Sequence, residues 1–269
     1  ATCCTAAQSC DDFTGTYDDQ PSEPDGAMHF MPGCLDGLAS CNSNDCHLSV
    51  FGAEMQSQLP EQDMTMEMWV KFEAGGSDWA GPITASQDDG STESGWNLQT
   101  RCKNANNEGA PCAQSRRLEW SLATETSNAA EGDGSGYLAY LGYPGPSGRD
   151  TYDVGGPVFA DMSGVWSHWA VKYDGSTTSM FIDGNLAMSD STTSGGAITY
   201  PAASYSSNRG GWFTIGAYHD ANEYYSFPGS IDELRIYHVA RNPSMDCDLD
   251  PGAETLLNYY WQFNGNYVN

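Results

Sequence analysis

The sequence predicts an all-β protein built as a two-sheet antiparallel sandwich of the jelly-roll type. Short apolar or alternating runs recur along the chain, and clusters of Gly, Pro, Asn, Asp and Ser separate them. No apolar pattern keeps helical spacing for three clean turns. Asp-Gly dipeptides follow two consecutive runs, as expected in a meander of antiparallel strands. Together these three observations favour strands joined by tight turns.

The strand candidates follow in chain order. Residues 64–72 alternate with period two, and five apolar side chains fall on one face: Met64, Met66, Met68, Val70 and Phe72. Residues 95–100 and 118–124 share a Trp-x-Leu core and are predicted to form a hairpin. The meander comprises 166–173, 179–182 and 185–188, and the late strands are 211–216 and 229–237.

Charge excludes several classes of partner. The 269 residues include 36 acidic and 10 basic side chains, for a formal net charge of −26. Phosphate recognition needs a concentrated cationic surface, so we expect no nucleic acid partner. No apolar run approaches the roughly 20 residues of a membrane-spanning helix, so we expect no membrane insertion.

Nine cysteines indicate disulfides formed in an oxidising compartment, and therefore a secreted, extracellular protein. Cys102 and Cys112 lie near the two ends of a polar loop and are predicted to pair. A zinc site at Cys41, Cys46 and His47 is the lesser alternative, because no Cys-x-x-Cys pair occurs. The odd count leaves one thiol that is either free or joined to another chain. The start of the chain lacks the pattern of a signal peptide and is interpreted as a mature N-terminus or a fragment boundary.

Three phrases, in order, resemble laminin-G-like and pentraxin-like domains of the concanavalin A-like lectin/glucanase group. They are DMTMEMWVK at 63–71, WSHWAVKYDG at 166–175 with MFIDG at 180–184, and FTIGA at 213–217 with FPGSIDELRIY at 227–237. The resemblance covers about residues 26–242. It divides the chain into a Cys-containing polar leader at 1–24 and a jelly roll at 25–245. Residues 246–269 supply a C-terminal strand that closes the sandwich or opens a following repeat.

The same resemblance implies one or more calcium ions. In the domains that this chain resembles, the Asp of the I-D-E phrase helps to hold calcium, which carries over to Asp232. Asp25 is a weaker candidate ligand. The equally weighted alternative is that Asp232 caps a turn or pairs with Arg235.

Catalysis is not expected. Retaining glycosidases on this kind of fold need two carboxylates about 5 Å apart, often in a Glu-x-Asp-x-x-Glu strand that this sequence lacks. Asp232 and Glu233 are adjacent, so strict alternation would point them to opposite faces. His168 has no nucleophile paired with it in the sequence and is interpreted as packing within the sheet.

A polar-aromatic segment is the candidate ligand site. It contains Tyr218, His219, Asn222, Tyr224 and Tyr225, and Trp79 lies in another loop. Aromatic rings beside amides suit sugar stacking, although rings that only cover the edge of the core would look the same. The sequence therefore favours a non-catalytic extracellular recognition or adhesion module, supported by calcium, that binds a glycan or glycoprotein. A structural unit of a filament, wall or adhesive, with copies of itself as partners, is one alternative; a polysaccharide-active enzyme is the least favoured.

Overall fold

The computed structural model describes thirteen stretches of the chain, and their regular elements are all β-strands, which confirms the predicted all-β class. The described residues are 4–8, 25–30, 48–50, 58–73, 80–88, 93–102, 116–125, 139–143, 164–190, 195–200, 213–219, 224–245 and 257–261. The strands are β1 (Cys4–Gln8), β2 (Asp25–Phe30), β3 (Leu48–Val50), β4 (Asp63–Phe72), β5 (Ile83–Asp88), β6 (Glu93–Cys102), β7 (Arg116–Leu122), β8 (Ala139–Tyr143), β9 (Trp166–Asp174), β10 (Thr178–Ile182), β11 (Asn185–Asp190), β12 (Phe213–Ile215), β13 (Ala217–His219), β14 (Tyr224–Ser226), β15 (Gly229–Tyr237) and β16 (Leu257–Trp261). Within these stretches, no helix is long and apolar enough to span a bilayer.

The strands form two main antiparallel sheets. The eight-stranded sheet has the order β1-β2-β15-β4-β9-β10-β11, and β16 also pairs with β15. The six-stranded sheet has the order β3-β12-β5-β6-β7-β8. β13 and β14 form a separate hairpin, which we call the tyrosine hairpin. β2 pairs with the first part of β15 and β16 with the last part, so segments from both ends of the chain extend the same sheet.

The hydrophobic core lies between the two sheets. The five alternating apolar residues of β4 are all buried, as their spacing predicts. Trp96 and Trp120 of the six-stranded sheet lie 5.6 Å apart between ring centroids. Trp120 Nε1 donates to Thr178 Oγ1 of β10 at 3.0 Å, which ties the two sheets together through a buried polar contact.

Tight turns connect β9, β10 and β11 at the two predicted Asp-Gly dipeptides. Gly175 and Gly184 both have positive φ angles, of 80° and 71°, and Asp183 also has a positive φ, of 49°. Asp183 Oδ1 also accepts the backbone N–H of His168 at 2.8 Å, so the turn is bonded to the neighbouring strand. The meander predicted from the sequence is confirmed.

The outer face of the eight-stranded sheet is shielded by the segment that follows β15. Thr65 Oγ1 donates to the Val239 carbonyl at 2.9 Å and accepts the backbone N–H of Arg241 at 2.9 Å. The backbone N–H of Ser244 donates to Glu67 Oε2 at 2.8 Å. These contacts cover the middle of β4 on its outer face, which explains why Thr65 and Glu67 are as buried as the apolar residues of the strand.

Candidate functional site

The six-stranded sheet carries a continuous layer of polar side chains on the face opposite the core, which we call the polar face. Alternation along the strands produces this layer, because the intervening residues are the apolar ones that fill the core. Thr214, Thr84, Asn97 and Ser121 are register partners in one row across β12, β5, β6 and β7. Gln99 pairs with Glu119 in the next row, and Ser86 lies beside Gly95.

These polar side chains are shielded from solvent. All seven are at most 1% exposed. Thr84 Oγ1 and Thr214 Oγ1 both donate to the carbonyl of Ala217, at 3.2 and 2.8 Å. Within the described part of the chain, Ser86 Oγ, Gln99 Oε1 and Ser121 Oγ have no hydrogen-bond partner. Buried polar atoms are normally paired, so this layer has spare hydrogen-bonding capacity in surroundings where each bond counts for more than in water.

The tyrosine hairpin borders the polar face. Ala217, which accepts the two threonine hydroxyls, is its first residue. Tyr218 and Tyr225 are cross-strand partners whose rings stack with centroids 5.9 Å apart and an interplanar angle of 19°. A Cβ built on Gly81 would lie 3.5 Å from Tyr218 Cβ and 3.6 Å from Gln99 Cβ, so the hairpin and the polar face meet at this glycine.

The predicted ligand residues are therefore partly brought together. Tyr218 and Tyr225 form the ring stack and are 6% and 5% exposed. His219 and Tyr224 are register partners at the turn end of the hairpin, and their side chains lie outside the described part. Asn222 and Trp79 fall outside the described residues altogether.

A buried ion cluster occupies the outer face of the eight-stranded sheet. Arg235 Nη2 donates to Glu233 Oε2 at 2.7 Å, and Arg235 Nη1 lies 3.5 Å from Glu67 Oε1. Burial raises the pKa of Glu67, while the backbone N–H of Ser244 and the Arg235 guanidinium act in the opposite direction. All three charged side chains are at most 2% exposed, so their mutual pairing is what makes their burial tolerable.

A bulge in β15 shapes this cluster. The register shifts between Asp232, opposite Trp69, and Arg235, opposite Glu67, and Glu233 takes a positive φ of 51°. Asp232 Oδ1 accepts the backbone N–H of Glu233 at 2.8 Å. The strict alternation that would point Asp232 and Glu233 to opposite faces is interrupted at this bulge, which lets Glu233 reach Arg235.

His168 is a structural residue of the same sheet. Its ring packs edge-on against Trp69 with centroids 5.4 Å apart, and the side chain is 1% exposed. Burial, assisted by the Arg235 charge, lowers the pKa of His168 to about 3. The ring is therefore neutral at physiological pH, and the interpretation that it packs within the sheet is confirmed.

The two residues predicted to bind calcium belong to paired strands of the eight-stranded sheet. β2, which begins at Asp25, pairs with β15, which contains Asp232, so the two predicted ligands lie on neighbouring strands. Among the described residues, no three His, Cys, Asp or Glu side chains come together as a metal-binding group. Asp232 is buried and already accepts one backbone hydrogen bond. A calcium ion bound at Asp232 would need further ligands from side chains outside the described part of the chain. The side chain of Asp25 is the candidate for one of them.

The predicted disulfide has one residue in the described backbone. Cys102 is the last residue of β6, and Cys112 falls outside the described residues. The hairpin on which the pairing was predicted is confirmed, since β6 and β7 are paired from Trp96↔Leu122 to Cys102↔Arg116. The pairing itself stays a prediction.

Sequence similarity points to the same fold. The family model of the concanavalin A-like lectin/glucanases superfamily matches residues 49–245, most of the chain. The chain belongs to this superfamily. The match includes β4 to β15 and most of β3, and therefore the polar face, the tyrosine hairpin and the ion cluster. No curated protein sequence matches the chain.

Solved structures with a similar arrangement are distant in sequence. A Bacteroides ovatus protein described as carbohydrate-binding is 17% identical, with a TM-score of 0.43; the match covers 77% of this chain and 47% of that one. The heptameric pentraxin of Limulus polyphemus is 14% identical, with a TM-score of 0.36 and coverage of 68% and 67%. Domain 4 of an arabinanase from Geobacillus stearothermophilus, solved with arabinotriose, is 16% identical, with a TM-score of 0.41 and coverage of 88% and 82%. This chain thus spans about half the length of the first of these relatives.

The polar face is the feature that the sequence analysis missed. Its signal is present in the hairpin strands, where Asn97 and Gln99 alternate with Trp96 and Leu98, and Glu119 and Ser121 alternate with Leu118 and Trp120. Polar residues at alternate positions usually indicate a solvent-facing surface. Here the positions face away from the core and yet are buried, and only the structure shows this.

Proposed function

We propose that the chain is a non-catalytic recognition module that binds a glycan, free or on a glycoprotein, across the polar face and against the tyrosine hairpin. The observation that carries the proposal is the buried polar layer, in which Ser86, Gln99 and Ser121 each present an oxygen without a hydrogen-bond partner among the described residues. Such unsatisfied groups cost free energy in the ligand-free protein, and a ligand rich in hydroxyls would recover it.

The chemistry of the polar face suits saccharides. Six of its seven side chains are neutral hydroxyl or amide groups, which can both donate hydrogen bonds to sugar hydroxyls and accept hydrogen bonds from them. The stacked rings of Tyr218 and Tyr225 lie at its border and would offer apolar area beside these polar groups once the face is opened to a ligand. Ligand sites commonly combine apolar and aromatic surface with a few positioned polar groups.

The composition of the face also supports a non-catalytic role. Among the seven buried side chains of the face, Glu119 is the one carboxylate; the positions of Asp88 and Glu93 fall at the far end of the face. Glycoside hydrolysis of the common kind requires two carboxyl groups, about 5–5.5 Å apart in retaining enzymes and about 6.5–9.5 Å apart in inverting ones. Glu119 can accept hydrogen bonds from sugar hydroxyls, and the sequence lacks the Glu-x-Asp-x-x-Glu strand that retaining enzymes of this fold often carry.

Burial of the polar face predicts slow association. A ligand reaches side chains that are at most 1% exposed only if part of the chain moves aside. Binding that requires such a change has an association rate constant below the usual range, here below about 10⁵ M⁻¹s⁻¹. Stopped-flow measurement of tryptophan fluorescence would give this rate directly.

The test is a glycan array followed by titration calorimetry with the best oligosaccharide. Gln99→Leu and Ser121→Ala should each weaken binding about tenfold, since each removes one hydrogen bond in a dry site. Ser179→Ala is the matched control, because Ser179 is a buried serine on the other sheet whose hydroxyl lies 3.1 Å from Ser189 Oγ. Absence of any glycan ligand, or binding that both polar-face variants leave unchanged, would refute the proposal and favour a structural unit that assembles with copies of itself.

Calcium support is the second part of the proposal. Asp232, with Asp25 on the neighbouring strand, would supply carboxylate oxygens, the ligands that calcium prefers, and bound cations would offset part of the −26 charge. Millimolar calcium should then raise the melting temperature at fixed ionic strength, and Asp232→Asn should remove that rise. Equal calcium responses in the wild type and Asp232→Asn would exclude Asp232 as a ligand.

The extracellular location is part of the same proposal and is supported by the nine cysteines. Peptide mapping without reduction would identify the disulfides, including the predicted Cys102–Cys112 bridge. Cys102 joined to a different cysteine would show that the prediction for this loop is wrong.

A further inference from the structure

The polar face continues into a pair of arginines at one end of the β6–β7 hairpin. Arg101 and Arg117 are register partners, two residues beyond the pair Gln99↔Glu119. Since positions two apart in a strand share a face, both arginine positions belong to the polar face. Arg116, one residue away, occupies the opposite face.

The placement of these arginines is unusual for this chain. The protein has 10 basic residues against 36 acidic ones, and two of the 10 stand directly opposite each other. Like charges at directly opposite positions destabilise a pair of strands. An anion between two guanidinium groups turns that repulsion into attraction, and guanidinium groups are well suited to carboxylate and sulfate because they can donate two parallel hydrogen bonds.

We propose that this end of the polar face binds the anionic group, carboxylate or sulfate, of an acidic saccharide. The inference rests on the proposed function and adds the chemical class of the ligand. Arg101 and Arg117 would hold the anion, and Gln99 in the next row and Ser121 one row further would bond to neutral hydroxyls of the same ligand. Successive positions on one face of a strand are about 7 Å apart, so a short oligosaccharide reaches both groups.

Charge along the face sets a direction for the ligand. Asp88 and Glu93 are register partners at the other end of the β5–β6 ladder, and their positions also fall on the polar face by alternation. By strand position, the face thus has acidic residues at one end, mostly neutral residues in the middle and basic residues at the other end. An acidic saccharide would bind with its charged group toward Arg101 and Arg117.

The overall charge of −26 does not prevent this. Long-range repulsion of an anion is screened beyond about 8 Å at an ionic strength of about 0.15 M, whereas the arginines act at contact distance. The association rate constant of an acidic ligand should therefore be low in very dilute salt and rise as the salt concentration approaches the physiological range.

The experiment compares trigalacturonate with its methyl ester, which keeps the shape and removes the charge, by titration calorimetry at about 0.15 M salt. Wild-type protein should bind the acid at least tenfold more tightly than the ester, and Arg101→Gln/Arg117→Gln should abolish that preference. Arg116→Gln removes one positive charge from the opposite face, as each of the two substitutions does from the polar face, and should retain the preference. A sulfated oligosaccharide of equal length, as a second arm, shows whether carboxylate or sulfate is preferred, and tighter binding than to the ester supports the proposal in either case.

Two results would overturn the inference. If neither acidic probe binds more tightly than the uncharged ester, the arginine pair is not an anion site. If acidic probes are preferred but Arg116→Gln removes the preference as fully as the double substitution, the effect comes from net charge alone. Retained binding of neutral oligosaccharides that Gln99→Leu weakens would show that the proposed function stands without this inference. If the wild-type protein binds no saccharide at all, both the proposed function and this inference are refuted.

Discussion

Removing a hydroxyl from the polar face should stabilise the ligand-free protein. Ser121 is 1% exposed, and its Oγ has no hydrogen-bond partner within the described residues. A buried polar group without a partner costs about 1–3 kcal/mol. Ser121→Ala deletes that one atom with almost no change in shape, so we expect the free energy of unfolding to rise by about 1 kcal/mol or more. The same variant should bind glycan more weakly, so that stability and binding move in opposite directions.

Urea unfolding followed by tryptophan fluorescence measures the change, and an unchanged m-value shows that the unfolded state is comparable. Thr214→Val is the control on the same face, because Thr214 Oγ1 does donate, to the Ala217 carbonyl at 2.8 Å. It should lower the free energy of unfolding by about 1–2 kcal/mol. If Ser121→Ala destabilises the protein as much as Thr214→Val does, the serine hydroxyl is already bonded in the free protein. The argument for spare hydrogen-bonding capacity would then fail.

The remaining predictions concern the fold and its buried charges. Gly95 has a φ of 84° and abuts the backbone of β5, so Gly95→Ala should lower the free energy of unfolding by about 2–5 kcal/mol. Gly164 has a similar φ of 78° but lies in open space, so Gly164→Ala should lower it by only about 1–2 kcal/mol, as measured by urea unfolding. Arg235→Met should lower the free energy of unfolding by about 3–5 kcal/mol, because it leaves the buried carboxylates of Glu67 and Glu233 without this cation. A decrease below about 1 kcal/mol would contradict the ion cluster. The raised pKa of Glu67 means that the native state binds more protons than the unfolded state just above its ordinary value of 4.5. The stability of the wild type relative to Glu67→Gln should therefore fall as pH rises through that window, and a parallel pH dependence of the two proteins would refute the shift.

Strand positions were predictable because local patterns decide them. The period-two alternation of β4 places its methionines in the core, and the Asp-Gly dipeptides supply the positive φ angles of the meander turns. The Trp-x-Leu cores identify β6 and β7 as partners, and the register brings Trp120 opposite Leu98. In each case the information lies in short local patterns of the chain or in two such patterns joined by a single loop.

The buried charges could not be predicted in this way. Glu67 and Arg235 belong to strands far apart in the sequence, and their burial depends on the segment after β15 that crosses the outer face. The bulge at Glu233 also breaks the alternation from which its direction was predicted. Tertiary contacts, which leave no local pattern, decide both features.

The sequence predicts the tyrosine residues of the proposed site but not its polar face. The sequence predicts Tyr218 and Tyr225 as ligand residues, and they form the ring stack of the hairpin. The polar face beside them was overlooked because its alternating polar residues look like those of an ordinary solvent-facing strand. Its distinguishing property is burial without complete hydrogen bonding, which requires coordinates to recognise.

A crystal structure of the chain with its best-bound oligosaccharide tests the central claim most directly. The account predicts sugar hydroxyls within about 3.2 Å of Gln99 Oε1 and Ser121 Oγ, with the ligand bordering the tyrosine hairpin. A saccharide seated on the eight-stranded sheet or on distant loops, with the polar face unchanged from the free protein, would contradict it.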